Sequence, residues 1–172
     1  MADGYSYEIA ERISEFLTSD DWHFRFDEEK GVFQFGLTLH RTKIKKVEYL
    51  IRVRQDDYIL YAVSPLSADE NDPAMMARMA ELLCRINYGL RNGNFEMDYR
   101  DGEIRYKSYV DCEEILPSSK IIRNSIYIPA TSFEGYGDAI VSVMFTDVSA
   151  EDAYEESMKR SLRSYLDQGS EN

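Results

Sequence analysis

Between positions 22 and 53, apolar residues fall on every second position in runs divided by short polar turns. A period of two sends alternate side chains to opposite faces of an extended chain, so each run reads as a strand with one apolar face. Trp22, Phe24 and Phe26 alternate with His23 and Arg25. A turn at 27–31 ends in Gly31, which supplies the positive φ of a tight loop. Phe33, Phe35, Leu37 and Leu39 form a second run, and Val47, Tyr49, Ile51 and Val53 a third. After Gln55-Asp56-Asp57, residues 58–63 are more uniformly apolar. Four strands in succession make an antiparallel meander, whose greasy face must be covered.

The flanking segments supply that cover at helical spacing. Tyr5, Ile9, Ile13, Phe16 and Leu17 predict a helix over 5–18, with Asp3 as its N-cap and Glu8–Arg12 as an i,i+4 pair. Asp72-Pro73 reads as an N-cap and first helical residue, opening a helix on Met75, Met79, Leu82, Ile86 and Leu90 that stops at Asn92-Gly93. Residues 94–99 and 103–110 alternate around Asp101-Gly102, a hairpin signal. Ser118-Ser119 opens a helix through Ile122 and Ile126 that Pro129 breaks or kinks, and helical spacing resumes from Phe133 to Met144. Ser149 with Asp152 makes a variant capping box for a last helix carrying Tyr154, Met158, Leu162 and Tyr165, with fraying expected over 168–172. The order α-β-β-β-β-α-β-β-α-α predicts an α+β fold: an antiparallel sheet of about six strands covered by helices. We expect one domain over 1–147, with 148–172 as a C-terminal helix packed on it or extending from it.

Thirty-two acidic residues against twenty basic ones give a net charge of −12 over 172 residues. That balance disfavours polyanionic partners, so neither nucleic acid nor an anionic membrane is expected. No apolar run approaches the roughly 20 residues of a membrane span, and the acidic, polar start lacks signal-peptide character. The expected location is cytoplasmic. Cys84 and Cys112 stand apart, outside any CxxC or Cys/His cluster, and read as reduced, partly buried thiols.

Residues that carry chemistry are present but not in catalytic patterns. His23 and His40 fall on outward strand positions, and two isolated histidines with two isolated cysteines do not make a zinc site, so no metal or cofactor is expected. Residues 98–103 resemble a calcium loop until Arg100, where a carboxylate is needed. Gly135-Tyr136-Gly137 follows no strand and lacks the third glycine of a dinucleotide fingerprint; it reads as a loose or kinked helical segment. The carboxylate pairs lie in polar turns or helix starts, where solvated charge is their expected role.

Two asymmetries point to binding instead. Met75, Met76 and Met79 crowd the start of one helix, and flexible thioethers suit an adaptable contact surface. Between His40 and Arg54 six bases face one acid, Glu48, a local charge of +5. These bases read first as protection of an edge strand, and only distantly as an RNA contact. The candidate partner-binding residues are therefore Met75, Met76, Met79, Arg52 and Arg54. Tyr49, Tyr58, Tyr61 and Tyr106 either line a small-molecule pocket between sheet and helices or, more commonly, complete the core with their hydroxyls at its margin.

The stretch Leu82-Leu83-Cys84-Arg85-Ile86-Asn87-Tyr88-Gly89-Leu90, followed by Gly93-Asn94-Phe95-Glu96-Met97-Asp98 and Asp101-Gly102-Glu103-Ile104-Arg105-Tyr106, resembles the YbjN family. The resemblance spans roughly 22–144. It implies a bacterial, non-enzymatic regulator of sensory transduction with a fold similar to type III secretion chaperones. By that likeness it also implies a homodimer, or binding of a protein segment across sheet and helix surfaces. The helix after Ser149 lies outside this pattern and would be in a position to cover such a binding groove.

Overall fold

The alternating runs become six strands, and the computed structural model describes the backbone of residues 4–169 and the side chains of residues 4–163. In chain order the elements are α1 (Tyr7–Ser19), β1 (Phe24–Asp27), β2 (Val32–Thr38), β3 (Lys46–Val53), β4 (Asp57–Val63), α2 (Pro73–Gly89), β5 (Asn94–Met97), β6 (Ile104–Asp111), α3 (Ser119–Phe145) and α4 (Ala150–Gly169). The strands form one antiparallel sheet in the order β1-β2-β3-β4-β6-β5. This is the α+β fold that the order of periods predicts.

Register explains the core. Phe26 faces Phe33, Phe33 faces Ile51, and Ile51 faces Leu60, so one row of apolar side chains runs across four strands on the helix side. Gln34 and Arg52, one position along, stay exposed on the other face. α3 packs on β4 and β6, α1 on α3, and α2 on β5 and α3. α4 then lies across α2 and α3, burying Ala150, Ala153 and Ser157.

The core tyrosines fill the layer between sheet and helices. Tyr49 donates to the Ile126 carbonyl (2.7 Å), and Tyr58 shares a 3.1 Å hydrogen bond with Ser125 Oγ. Tyr106 donates to the Asn92 carbonyl. All three are buried, whereas Tyr61 sits on the opposite face under the Arg105 guanidinium. Burial raises the Tyr49 and Tyr58 phenols far above their ordinary pKa, so both act as neutral hydrogen-bonding groups.

Several element ends differ from the sequence expectation, each for a physical reason. α1 is capped by Ser6, whose Oγ accepts from the Ile9 amide; Asp3 lies outside the described residues. Tyr5 precedes the helix, and Arg12 pairs with Glu15 rather than Glu8. Trp22 stands just before β1, its indole N–H donating to Asp20. α2 begins on the expected Asp72 cap but ends at Gly89, three residues short of Asn92. The Asn87 side chain there donates to the Phe95 carbonyl and accepts from the Phe95 amide (2.9 and 2.8 Å), which draws the chain into β5. Gly93 does adopt positive φ (70°), but as the entry to β5 rather than as a helix cap.

α3 runs unbroken through Pro129 and through Gly135-Tyr136-Gly137. Proline removes one helical donor, and the turn just before it is anchored to the sheet through Tyr49 and Tyr58. Gly137 is required by close approach: a Cβ there would lie 2.4 Å from Thr42 Oγ1. The capping box opens α4 as expected, with the Asp152 amide donating to Ser149 Oγ at 3.0 Å, while the Tyr165 side chain and residues 170–172 lie outside the described residues.

Candidate binding groove

The residues singled out in the sequence do not converge on one site. Met76 and Met79 are core side chains and Met75 is half-buried, so the methionine cluster packs α2 into the interior. Arg52 and Arg54 are exposed at the far end of β3, where Arg54 lies 3.9 Å from Asp57. Edge protection does not account for these bases. β3 is an interior strand, with Arg52 between Val32 and Ile59, and the sheet's edges are β1 and β5. Of the thiols, Cys112 is buried but Cys84 is exposed, contrary to the expectation of two partly buried groups. His23 and His40 are both exposed. Among the described residues, no group of three or more His, Cys, Asp or Glu side chains is placed to hold a metal ion. The calcium-like loop is closed on itself: Arg100 donates to the Asp98 carboxylate (Nε–Oδ1 3.0 Å) and, with its amide, holds that carboxyl down at about 2.

What the structure does assemble is a groove between α1 and the β1 edge of the sheet. α1 buries Ile9, Ile13, Phe16 and Leu17, and partly buried Phe26 of β1 lines the groove opposite the helix's exposed side. Tyr5 and Tyr7 close one end, with ring centroids 4.9 Å apart and Tyr5 edge-on to Phe26 at 6.0 Å. Tyr7 is 76% exposed, a large aromatic surface left in water. The seat of Tyr5 is specific. Its ring lies over Gly31 (φ 63°), where a Cβ would meet Tyr5 at 2.4 Å, and its hydroxyl donates to the Glu28 carbonyl at 2.9 Å.

Five carboxylates rim this groove. Glu8, Glu11 and Glu15 come from α1, and Glu28 and Glu29 from the β1–β2 turn. Glu15 is answered by Arg12 at 3.3 Å; among the described residues the other four have no ion-pair partner. Desolvation, then Tyr7, Glu28 and Asp27, raise the Tyr5 phenol above its ordinary pKa, as a negative surrounding should.

The two sheet edges are treated differently. At β5, Asn87 occupies both backbone groups of Phe95 as a neighbouring strand would. Among the described residues, no side chain brackets the β1 backbone in this way, and β1 pairs with β2 alone. Sequence reasoning missed this groove. The spacing of Glu8, Glu11 and Glu15 was visible as one face of a helix, but its nearness to Glu28 and Glu29 is a product of folding.

A single antiparallel sheet packed by helices, with an aromatic groove beside one edge, defines the fold as α+β. The chain belongs to the YbjN family, whose model, described as "putative bacterial sensory transduction regulator", matches residues 10–142. That span runs from within α1 to near the end of α3 and leaves α4 and the tyrosine corner of the groove outside it. No curated protein matches the chain in sequence. Among the described residues, no helix is long and apolar enough to cross a membrane.

Proposed function

We propose that this protein is a non-enzymatic regulator that acts by holding a segment of a partner protein in the groove between α1 and β1. The observation that carries the reading is the exposed aromatic ring of Tyr7, with partly buried Phe26 lining the same groove beside a strand edge that no described side chain brackets. An extended segment placed there adds a strand through main-chain hydrogen bonds and sets alternate side chains against the aromatic floor. The groove follows the 13 residues of α1, roughly 19 Å at 1.5 Å per residue. About six residues of extended chain span that length. A chaperone-like use of this surface, homodimerisation and a cytoplasmic location are parts of the same reading. Family membership as a regulator supports it.

Site-specific photo-crosslinking tests it. Tyr7→benzoylphenylalanine is expected to capture a defined protein in cells, and Tyr99→benzoylphenylalanine, at an exposed position on the β5–β6 loop, is not. Equal capture at both positions, or none at position 7, refutes the groove as the working surface. Sedimentation of the purified chain measures the dimer.

A further inference from the structure

The groove's chemistry narrows its occupant. Resting on the partner-binding reading above, we propose that the segment it takes is basic, with lysine or arginine alternating with apolar residues.

Charge and shape point to the same occupant. Four carboxylates along the groove, Glu8, Glu11, Glu28 and Glu29, have no cation of their own among the described residues, and they stand on both walls. A neutral or acidic segment laid between them leaves those charges repelling one another and the ligand. A basic segment neutralises both walls at once. The closed end adds a second preference. The Tyr5 ring lies 4.9 Å from that of Tyr7 and 6.0 Å from that of Phe26, centroid to centroid. A cation stem lies favourably against such faces while its head meets Glu8 or Glu28, because aromatic rings attract cations and cover their methylenes. A segment in strand conformation sends alternate residues to opposite sides. Apolar side chains then rest on the Phe26 floor while basic ones reach the acidic walls.

Segments that satisfy only one half fit poorly. A purely apolar strand leaves the carboxylates unanswered, and a polylysine tract leaves the Tyr7 ring in water. The −12 charge of the whole chain attracts any cation weakly, so the test must separate the groove from diffuse attraction.

Fluorescence anisotropy with two labelled ten-residue peptides does so. One alternates lysine with valine and phenylalanine, and the other carries glutamate in place of each lysine. The lysine peptide is expected to bind at least tenfold more tightly at physiological salt and to weaken as salt rises. The triple variant Glu8→Gln, Glu11→Gln, Glu28→Gln is expected to weaken it about tenfold, the sum of a few exposed pairs of modest strength. The triple Glu70→Gln, Glu113→Gln, Glu114→Gln removes the same charge at exposed positions elsewhere and is expected to change affinity less than twofold. Tyr7→Ala is expected to weaken the lysine peptide without altering its salt dependence. Equal losses in the two triples, equal affinity for the two peptides, or binding of neither peptide overturns the basic occupant. The groove itself is judged separately by crosslinking at position 7, so failure of the charge preference and failure of the binding surface are told apart.

Discussion

Asp138 on α3 accepts from Thr42 Oγ1 (3.0 Å) and from the Lys43 amide (2.7 Å), and its other oxygen meets the Arg160 guanidinium of α4. One carboxylate thus ties α4 and the β2–β3 connection to α3. Desolvation alone would raise its pKa, but Arg160, the Lys43 amide and Thr42 outweigh burial and hold it below the usual carboxylate range. A depressed folded-state pKa stabilises the protein above the unfolded value and loses that contribution as pH falls through the folded one. Asp138→Asn is therefore expected to cost about 1–2 kcal/mol at pH 7, with the gap to wild type closing below about pH 4. Urea unfolding at the two pH values measures it. The sheet tyrosines make a second case: Tyr49→Phe leaves the buried Ile126 carbonyl without its 2.7 Å donor and is expected to cost about 1–2 kcal/mol in the same assay. The two thiols should also part in reactivity. Burial, then Asp111 and Asp57, push Cys112 up to about 11, while Cys84 is exposed on α2. One fast thiol per chain toward a disulfide reagent is the expected result, abolished by Cys84→Ser.

Elements whose signal is local match their sequence. The Asp72 cap, the Ser149–Asp152 box, the alternation of β2 and β3 and the more uniformly apolar β4 all appear where the sequence puts them. Elements ended by a distant partner do not. α2 stops at Gly89 because Asn87 engages Phe95, and nothing in the helical period announces that bond. Asn87→Ala is expected to loosen β5 by about 1–3 kcal/mol, since it strands two backbone groups that a strand edge must satisfy. Hydrogen exchange at Phe95 should accelerate while exchange in β3 does not. Gly137 inverts an ordinary expectation. Glycine to alanine inside a helix usually stabilises by about 0.5–1 kcal/mol. Here the added Cβ falls 2.4 Å from Thr42 Oγ1, which Asp138 holds in place, so Gly137→Ala is expected to lower the thermal midpoint.

For the whole molecule, α4 is the element that other parts hold rather than one that holds the sheet. It buries Ala150, Ala153 and Ser157 against α2 and α3, stacks Tyr154 over Tyr136, and bonds to Asp138, but the sheet itself is packed by the other helices. A chain ending at residue 147 is expected to unfold at a lower temperature while keeping its Trp22 emission, because Trp22 packs on Phe35 and Tyr127, away from α4. Loss of that emission before any thermal transition would make α4 part of the core. α4 packs on α2 and α3, whereas the groove follows α1 on the β1 side, so α4 is not the roof of this groove that a capped C-terminal helix suggests. The order of periods along the chain by itself determined the α+β class, the antiparallel pairing and the buried side of the alternating strands, because these follow from which residues must leave water. The stretch from Leu82 to Tyr106 also carries the family resemblance, and the family model matches residues 10–142. Only the tertiary structure decided that β3 is interior, that Met76 and Met79 face inward, and that the acids of α1 meet those of the β1–β2 turn. Those facts depend on which strands become neighbours and on how far a helix lies from a sheet edge, and both are settled by packing among residues far apart in the chain.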